Sequence, residues 1–349
     1  MFEKSGKTNS VTIYDVARHA NLSGPTVSRA LNGNSRISDK TKKKVFKIAQ
    51  QLGYRSSYAG KVLKMGRTNT IGVMVPDLAN PYFIEFLRAV EQGCLSKGYR
   101  PVTVEYMQDA SQERYFLEQV LERRCDGIIA IISNCEPLRD LLEEFWFRKI
   151  PCIIHGLAPD IKSTKIDGTE VDMAPGVQKA VDHLVGLGHK EIVLVTSWRE
   201  EFADTGRLKG FQDAFLRHGL GSVSDHVLQL SCKDHMLDGM SVGKELLRTK
   251  PKTTAIIGTN DMLVVGVAHA LSEAGIRVPE DMSLVSMDNT WLAKNWPTPL
   301  TSIDQKTQEC ALTATEVLFK RLDNQEWGDP IHVKLSSNLV VRKSTAKCR

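Results

Sequence analysis

A small all-α helix-turn-helix head followed by an α/β core of two doubly wound lobes is the architecture this sequence predicts. Three observations predict it. Charge is split: residues 1–70 hold 14 Lys and Arg against 3 Asp and Glu, while the rest of the chain holds 32 against 38. Thr12 to Asn32 carries two short helical patterns separated by a turn. From Ile71 onward, continuous apolar runs alternate with helical patterns, the texture of buried parallel strands covered by helices on both faces. With 349 residues, 42% of them hydrophobic, the chain can bury two or three cores without disulfide or metal staples.

The head is taken first. Thr12 and Asp15 fit a capping box, and Ile13, Val16, Ala17 and Ala20 share one face of the helix that follows. Asn21-Leu22 reads as a tight turn. Ser23 is the N-cap of a second helix through Val27 and Leu31, with Pro25 in its first turn, where a missing N–H costs little. Ser38 caps a third helix, with Val45, Ile48, Ala49 and Leu52 inward and Lys40, Lys42, Lys43, Lys44 and Lys47 mostly outward. Gly53 suits its C-terminal cap. Residues 54–69 are polar, basic and poor in core residues, and read as a linker.

In the core, Ile71–Val75 is a strand and Pro81 opens a helix ending near Gly98. Val102 and Val104 alternate as a strand. A helix over 111–123 precedes the apolar run 127–132, and 150–154 repeats the theme. Strands near 192–196, 255–258 and 283–287 alternate with helices near 176–187, 207–218, 238–249 and 261–274. The pattern pauses between 158 and 170, which divides the core into two lobes.

Composition and motifs remove several classes. No stretch approaches the ~18 apolar residues of a membrane helix, and the N-terminus has no apolar signal region. The 7 cysteines are irregularly spaced and form no C-x-x-C pair, which suits a reducing cytoplasm and argues against a zinc or redox motif. G-x-x-x-x-G-K-[ST], G-x-S-x-G, H-E-x-x-H and EF-hand patterns are absent, so no catalytic residue, metal ligand or cofactor is assigned. A basic head on an acidic body points to a polyanion-binding module fused to something else.

Thr12-Ile13-Tyr14-Asp15-Val16-Ala17 and Leu22-Ser23-Gly24-Pro25-Thr26-Val27-Ser28-Arg29-Ala30-Leu31-Asn32 resemble the head of LacI-family (lactose-repressor-type) transcriptional regulators. The likeness continues through Leu52-Gly53-Tyr54, Ile71-Gly-Val-Met-Val-Pro-Asp77, Asn80-Pro81-Tyr82-Phe83, Asp126-Gly127-Ile128-Ile129, Asn260-Asp261, Val278-Pro279, Pro299–Ile303 and Leu339–Ala346, and so covers nearly the whole chain. It implies a DNA-binding head over 10–54, a hinge over 55–69, and a core over 70–349 resembling periplasmic sugar-binding proteins. The lobes are expected at 70–158 with 305–334, and 159–304 with 335–346.

The resemblance also implies roles. Tyr14, Ser23, Thr26, Ser28, Asn32 and Tyr54 match phosphate-contacting positions, which orient a protein on DNA without reading sequence. Gly24, Pro25 and Arg29 match base-reading positions. Arg29 can bond guanine O6 and N7 together; its alternative role is a phosphate clamp. Gly24 and Pro25 offer no side-chain hydrogen bond. Leu63 matches a hinge leucine that wedges into the minor groove, although Ser56, Gly60 and Lys61 depart from the usual hinge and weaken its helix. Arg207, Asn260 and Asp288 match effector-binding positions, and Asp234 falls near another; Asn80 and Phe83 stand on the loop after the first core strand, which lines the cleft, with Phe83 equally readable as a core residue. Trp198, Trp291 and Trp296 lie near loops that could wall the cleft. His155 stands where relatives often carry an acid, and its ordinary reading is a satisfied structural histidine.

The implied protein is a cytoplasmic repressor, nucleoid-associated when bound to DNA. It acts as a homodimer on double-stranded operator DNA, and a small effector changes its affinity. A sugar or sugar derivative is the expected effector. The alternatives are gating by a partner protein or by a non-sugar metabolite such as a nucleoside or purine. The residues after Val341 carry no heptad seam for a tetramerising tail.

Overall fold

The computed structural model describes residues 11–32, 34–54, 66–107, 109–132, 134–156, 165–197, 206–230, 235–324 and 327–349. The chain divides into two units, 1–68 and 69–349.

Among its described residues the first unit holds three helices: α1 (Ile13–Ala20), α2 (Gly24–Leu31) and α3 (Asp39–Gln51). Each begins on a side-chain cap. The Thr12 amide donates to Asp15 Oδ2 at 2.9 Å, the Asp15 amide donates to Thr12 Oγ1 at 3.4 Å, and the box is complete. Ser23 accepts from the Thr26 amide and Ser38 from the Thr41 amide. Asn21, at φ 52°, closes α1 in the left-handed region that Asn tolerates. Val16, Ala17, Ala20, Val27, Ala30, Val45 and Ala49 form the buried centre, mostly small residues that let three short helices approach closely.

The second unit contains two six-stranded sheets. The first takes β1 (Thr70–Val75), β2 (Arg100–Glu105), β3 (Gly127–Ala130), β4 (Cys152–His155), β5 (Asp167–Asp172) and a late strand, β11 (His332–Ser336). Helices α4 (Pro81–Ser96), α5 (Ala110–Gln119) and α6 (Arg139–Phe147) alternate with its early strands. The second takes β6 (Ile192–Ser197), β7 (Val227–Leu230), β8 (Ala255–Gly258), β9 (Ser283–Asp288), β10 (Thr301–Asp304) and β12 (Asn338–Val340). With it go α7 (Ala174–Gly186), α8 (Arg207–His218), α9 (His235–Thr249), α10 (Asp261–Glu273) and α11 (Trp291–Asn295), while α12 (Thr307–Asp323) returns to the first sheet.

The orders are β11-β5-β4-β3-β1-β2 and β12-β10-β9-β8-β6-β7. Each lobe thus repeats one winding, in which the second strand lies outside the first and the third lies on the other side. All neighbours are parallel except β10 and β12. The central strands β1, β3, β4, β8 and β9 are buried nearly throughout, as their apolar runs require. In the second lobe α9 and α10 pack backbone to backbone. A Cβ on Gly266 would lie 2.1 Å from the Met236 carbonyl oxygen, and one on Gly239 would lie 2.2 Å from that of Leu263.

The expected change of lobe at residue 159 falls later. β5 hydrogen-bonds to β4 and β11, so the first lobe extends through Asp172. The chain crosses between lobes three times: after β5, between β10 and α12, and between β11 and β12. Each crossing leaves the carboxyl end of a strand, so the two sheets adjoin through those ends. Ser337 knits the first and third crossings together: its amide and hydroxyl both donate to the Asp172 carbonyl, and its Oγ accepts from the Gly176 amide.

Candidate functional site

The head presents the outer face of α2. Ser23, Pro25, Arg29 and Asn32 are exposed, Gly24, Thr26 and Ser28 half-buried. Tyr14, 71% exposed, lays its ring against Gly24, where a Cβ would sit 3.4 Å from the ring. Several of the expected phosphate-contacting side chains already serve the helix. The Ser23 and Thr26 hydroxyls are 2.8 Å apart at the cap, and Asn32 Nδ2 donates to the Ser28 carbonyl at 2.8 Å. Tyr54 packs on the head's apolar centre, so it has a structural task as well. Arg29 differs: its guanidinium has no hydrogen bond or ion pair among the described residues. An exposed, unpaired guanidinium on the outer face of a second helix suits base-edge contact in a major groove. Leu63 lies outside the described residues.

In the core, the winding fixes where a ligand belongs. Loops after adjacent strands part where the strand order reverses, and open α/β sheets bind ligands in that crevice. In the second lobe the crevice lies between β6 and β8. The helices that follow those strands are α8, whose first residue is Arg207, and α10, whose N-cap is Asn260. In the first lobe it lies between β1 and β3, beside α4 with its N-cap Asn80. The topology therefore brings Asn80, Arg207 and Asn260 to facing crevices, and Asp288 ends β9 next to β8. Asp234 and Trp198 lie outside the described residues.

These residues divide by how far the fold already uses them. Asn80 Oδ1 accepts from the Tyr82 amide at 2.9 Å, and Asn260 Oδ1 accepts from the Leu263 amide at 2.8 Å while its Nδ2 lies 3.0 Å from His235 Nδ1. Phe83 is half-buried on the first-lobe core, edge-on to Tyr82 at 5.1 Å. Trp291 is half exposed and Trp296 packs on the second-lobe core. Asp288 is buried at φ 100° and accepts from Gln305 Nε2 and from the Asp261 amide. Arg207 stands apart: its Nε is buried and has no hydrogen-bond partner among the described residues. Its charge nevertheless acts on both Asp288 and, across the lobes, Tyr82.

Two neighbouring groups complete the surroundings of these residues, one around Asp261, which the sequence reading assigned no role, and one around His155, which it read as a satisfied structural histidine. Asp261, 1% exposed, accepts from Ser286 Oγ at 2.6 Å, the Thr290 amide at 2.8 Å and Thr290 Oγ1 at 2.7 Å, with Ser302 Oγ at 3.3 Å. Burial raises its carboxyl and, more strongly, that of Asp288, which Asp261 also pushes up. The available signal was Ser286 within the Leu284–Met287 run of β9, flanked by apolar residues. The second group joins α4 to the ends of β4 and β5. The Tyr82 hydroxyl lies 2.8 Å from His155 Nε2, and His155 Nδ1 lies 2.9 Å from Thr169 Oγ1. The His155 ring also stacks on Phe86 at 4.7 Å.

His155 has a measurable consequence. Burial pushes its imidazole from 6.5 down to about 4. Folding thus favours the neutral ring. That contribution is complete above 6.5 and is lost as pH falls from 6.5 through about 4. Its full size is about 3 kcal/mol. His155→Gln should flatten this part of the plot of urea midpoint against pH. The raised Asp261 and Asp288 carboxyls act with the opposite sign, so the difference between variant and wild type is the quantity to read. Identical slopes would place the acid sensitivity elsewhere.

Comparison with known proteins follows the same division. Residues 12–57 match the bacterial regulatory proteins of the lacI family, and residues 181–345 match the periplasmic binding protein-like domain. Catabolite control protein A of Priestia megaterium is 32% identical over 339 residues, 96% of this chain and 99% of its own. The chain belongs to the LacI family. This LacI-family regulator is also 30% identical to the HTH-type transcriptional repressor PurR of Haemophilus influenzae over 336 residues, 95% of this chain and 98% of that one. The lac repressor dimer bound to operator and the anti-inducer ONPF superposes with a TM-score of 0.80 at 24% identity, covering 97% of this chain and all of that one, which establishes the shared fold. Its relatives are DNA-binding transcriptional regulators rather than enzymes. Among the described residues no helix is long and apolar enough to cross a membrane.

Proposed function

We propose that this regulator represses transcription as a homodimer, each head reading one half of a two-fold operator, with operator affinity set by a small polar effector held between the lobes of the core. One observation carries the effector reading: the buried Nε of Arg207 at the crevice of the second lobe, which has no hydrogen-bond partner among the described residues. A buried guanidinium donor left without a protein acceptor is costly unless a ligand or water supplies one. Asp288 and Asn260 would supply further polar contacts, a pattern suited to the hydroxyls of a sugar or sugar derivative. The Tyr82–Phe83 aromatic pair beside Asn80 favours a second reading, in which a purine or nucleoside stacks in the cleft. Titrating the full chain with sugars, sugar phosphates and purines distinguishes the two.

For DNA, the head residues are proposed in two groups. Tyr14, Ser23, Thr26, Ser28, Asn32 and Tyr54 hold phosphates, and Gly24, Pro25 and Arg29 face bases, with Leu63 as the minor-groove wedge. Arg29→Ala should weaken binding to a site selected from random DNA by about 1–3 kcal/mol and relax preference at one position per half-site. A loss equal across all sequences would make Arg29 a phosphate clamp. Two-fold readout requires two heads, so light scattering should give a mass near twice 38.9 kDa. A mass near one or four chains would refute the homodimer.

A further inference from the structure

Residues 288–291 are held at every position. Asp288 accepts from Gln305 and from the Asp261 amide. The Asn289 amide donates to Ser302 Oγ at 3.0 Å, and its Oδ1 accepts from Arg342 Nη2. The Thr290 amide and hydroxyl both donate to Asp261. The Trp291 amide donates to Glu85 Oε1 at 2.7 Å. Asp288 and Asn289 sit at φ 100° and 58°, a left-handed pair that two non-glycine residues keep only when their surroundings over-determine it. Such a segment moves as one piece.

Its two ends reach different parts of the core. Gln305 lies on the second crossing, between β10 and α12, so its hydrogen bond to Asp288 ties the segment to chain that must bend when the lobes rotate. Glu85 lies on α4 of the first lobe, so the Trp291 amide spans the lobes directly. Between them stands Asp288, at the carboxyl end of β9. A ligand donor that engages Asp288 Oδ1 competes with Gln305 for the same oxygen. A cavity of about 430 Å³ beside the segment, lined by Glu85, Asp288, Asn289, Asp304 and Lys306, leaves room for it to shift.

We propose that the Glu85–Trp291 hydrogen bond is a latch between the lobes, and that residues 288–291 carry occupancy of the cleft at Asp288 to the crossing at Gln305 and to the latch together. This rests on the reading of the core as a two-lobed effector receptor.

The test is amide hydrogen exchange at single-residue resolution on the full chain. Trp291 should be protected in the wild type. Glu85→Ala should speed its exchange on the order of tenfold, and should also speed exchange at Lys306 in the crossing and at Cys310 in the first turn of α12, whose amide bonds the Lys306 carbonyl. Glu85→Gln keeps a carbonyl acceptor and should retain most of the protection. Trp291→Pro removes the donor instead. Proline is tolerated as the first residue of a helix, and Thr290 before it is already extended at φ −77° and ψ 177°. It should speed the same crossing amides as Glu85→Ala. Unchanged exchange at Trp291 in Glu85→Ala overturns the latch. An effect confined to Trp291, with the crossing amides unmoved in both variants, overturns the coupling. DNA selection by the unmodified chain and its titration with effectors test the proposed function separately, and their failure would leave the exchange result standing.

Discussion

Asp167→Ala is expected to destabilise the core by about 3–5 kcal/mol, because it strands a charge that has no route to water. Arg321 is 5% exposed and Asp167 1% exposed. Arg321 Nε donates to Asp167 Oδ2 at 2.8 Å and Nη2 to Oδ1 at 2.7 Å, a planar two-point pairing. The Ile331 amide donates to the same carboxylate at 2.7 Å. The guanidinium lies 5.2 Å from the ring centre of Trp146 and 5.4 Å from that of Trp327. Removing the carboxylate leaves the cation with the carbonyls of Trp327 and Asp329 and two aromatic faces, and leaves the Ile331 amide unpaired. Urea unfolding gives the number. Replacing both partners by Asp167→Leu and Arg321→Met should recover most of the loss, since an apolar pair needs no desolvation of charge. A single-variant cost below about 1 kcal/mol would show that water reaches the pair.

Arg207→Ala should produce the other large effect, and in the opposite register: affinity falls while the fold is spared. Its Nε satisfies no group among the described residues, so its removal should shift the urea midpoint by less than about 1 kcal/mol. Effector affinity should fall by about a hundredfold or more, because ligand atoms are left facing an unfilled polar site. Operator binding without effector should persist. Arg207→Lys should recover only part of the affinity, since an ammonium lacks the planar fork. Unchanged affinity in Arg207→Ala would remove this residue from the site.

The contrast between these two arginines shows what the sequence makes legible. Arg207 was found because it stands at the start of a helical pattern where the family places an arginine. Arg321 was not, because its partner lies 154 positions away in chain order. The same distance hid β5. Its sequence, Asp167-Gly-Thr-Glu-Val-Asp172, carries three acids and gives no apolar run, yet Arg321 neutralises the first of them and allows a buried strand. Of the four edge strands, β2 is legible by its alternation at Val102 and Val104, and the other three are not, for a related reason. Continuous apolar runs mark strands covered on both faces, whereas β7 and β11 are half exposed and β12 is short. Helix starts were legible at the local caps Thr12, Ser23 and Ser38, though not at Thr290, whose helix has only five residues. The Tyr82–His155–Thr169 chain and the donors around Asp261 join residues from separate elements, and only Ser286, a polar residue inside an apolar run, hints at either meeting.

The late arrival of β11 has a consequence for synthesis. Its His332 pairs with Gly168, and α12 covers β3, β4 and β5 of that same sheet, so the first lobe stays incomplete until the ribosome has passed Ser336. The second lobe waits as long for β12, which pairs with β10 from Asn338 to Val340. A nascent chain of some three hundred residues therefore carries two sheets with an open edge each and an uncovered apolar face, while the head, whose contacts are local, is complete from the start. Neither lobe can close before β11 and β12 have been made, so a chain that terminates ahead of His332 leaves both sheets with an open edge.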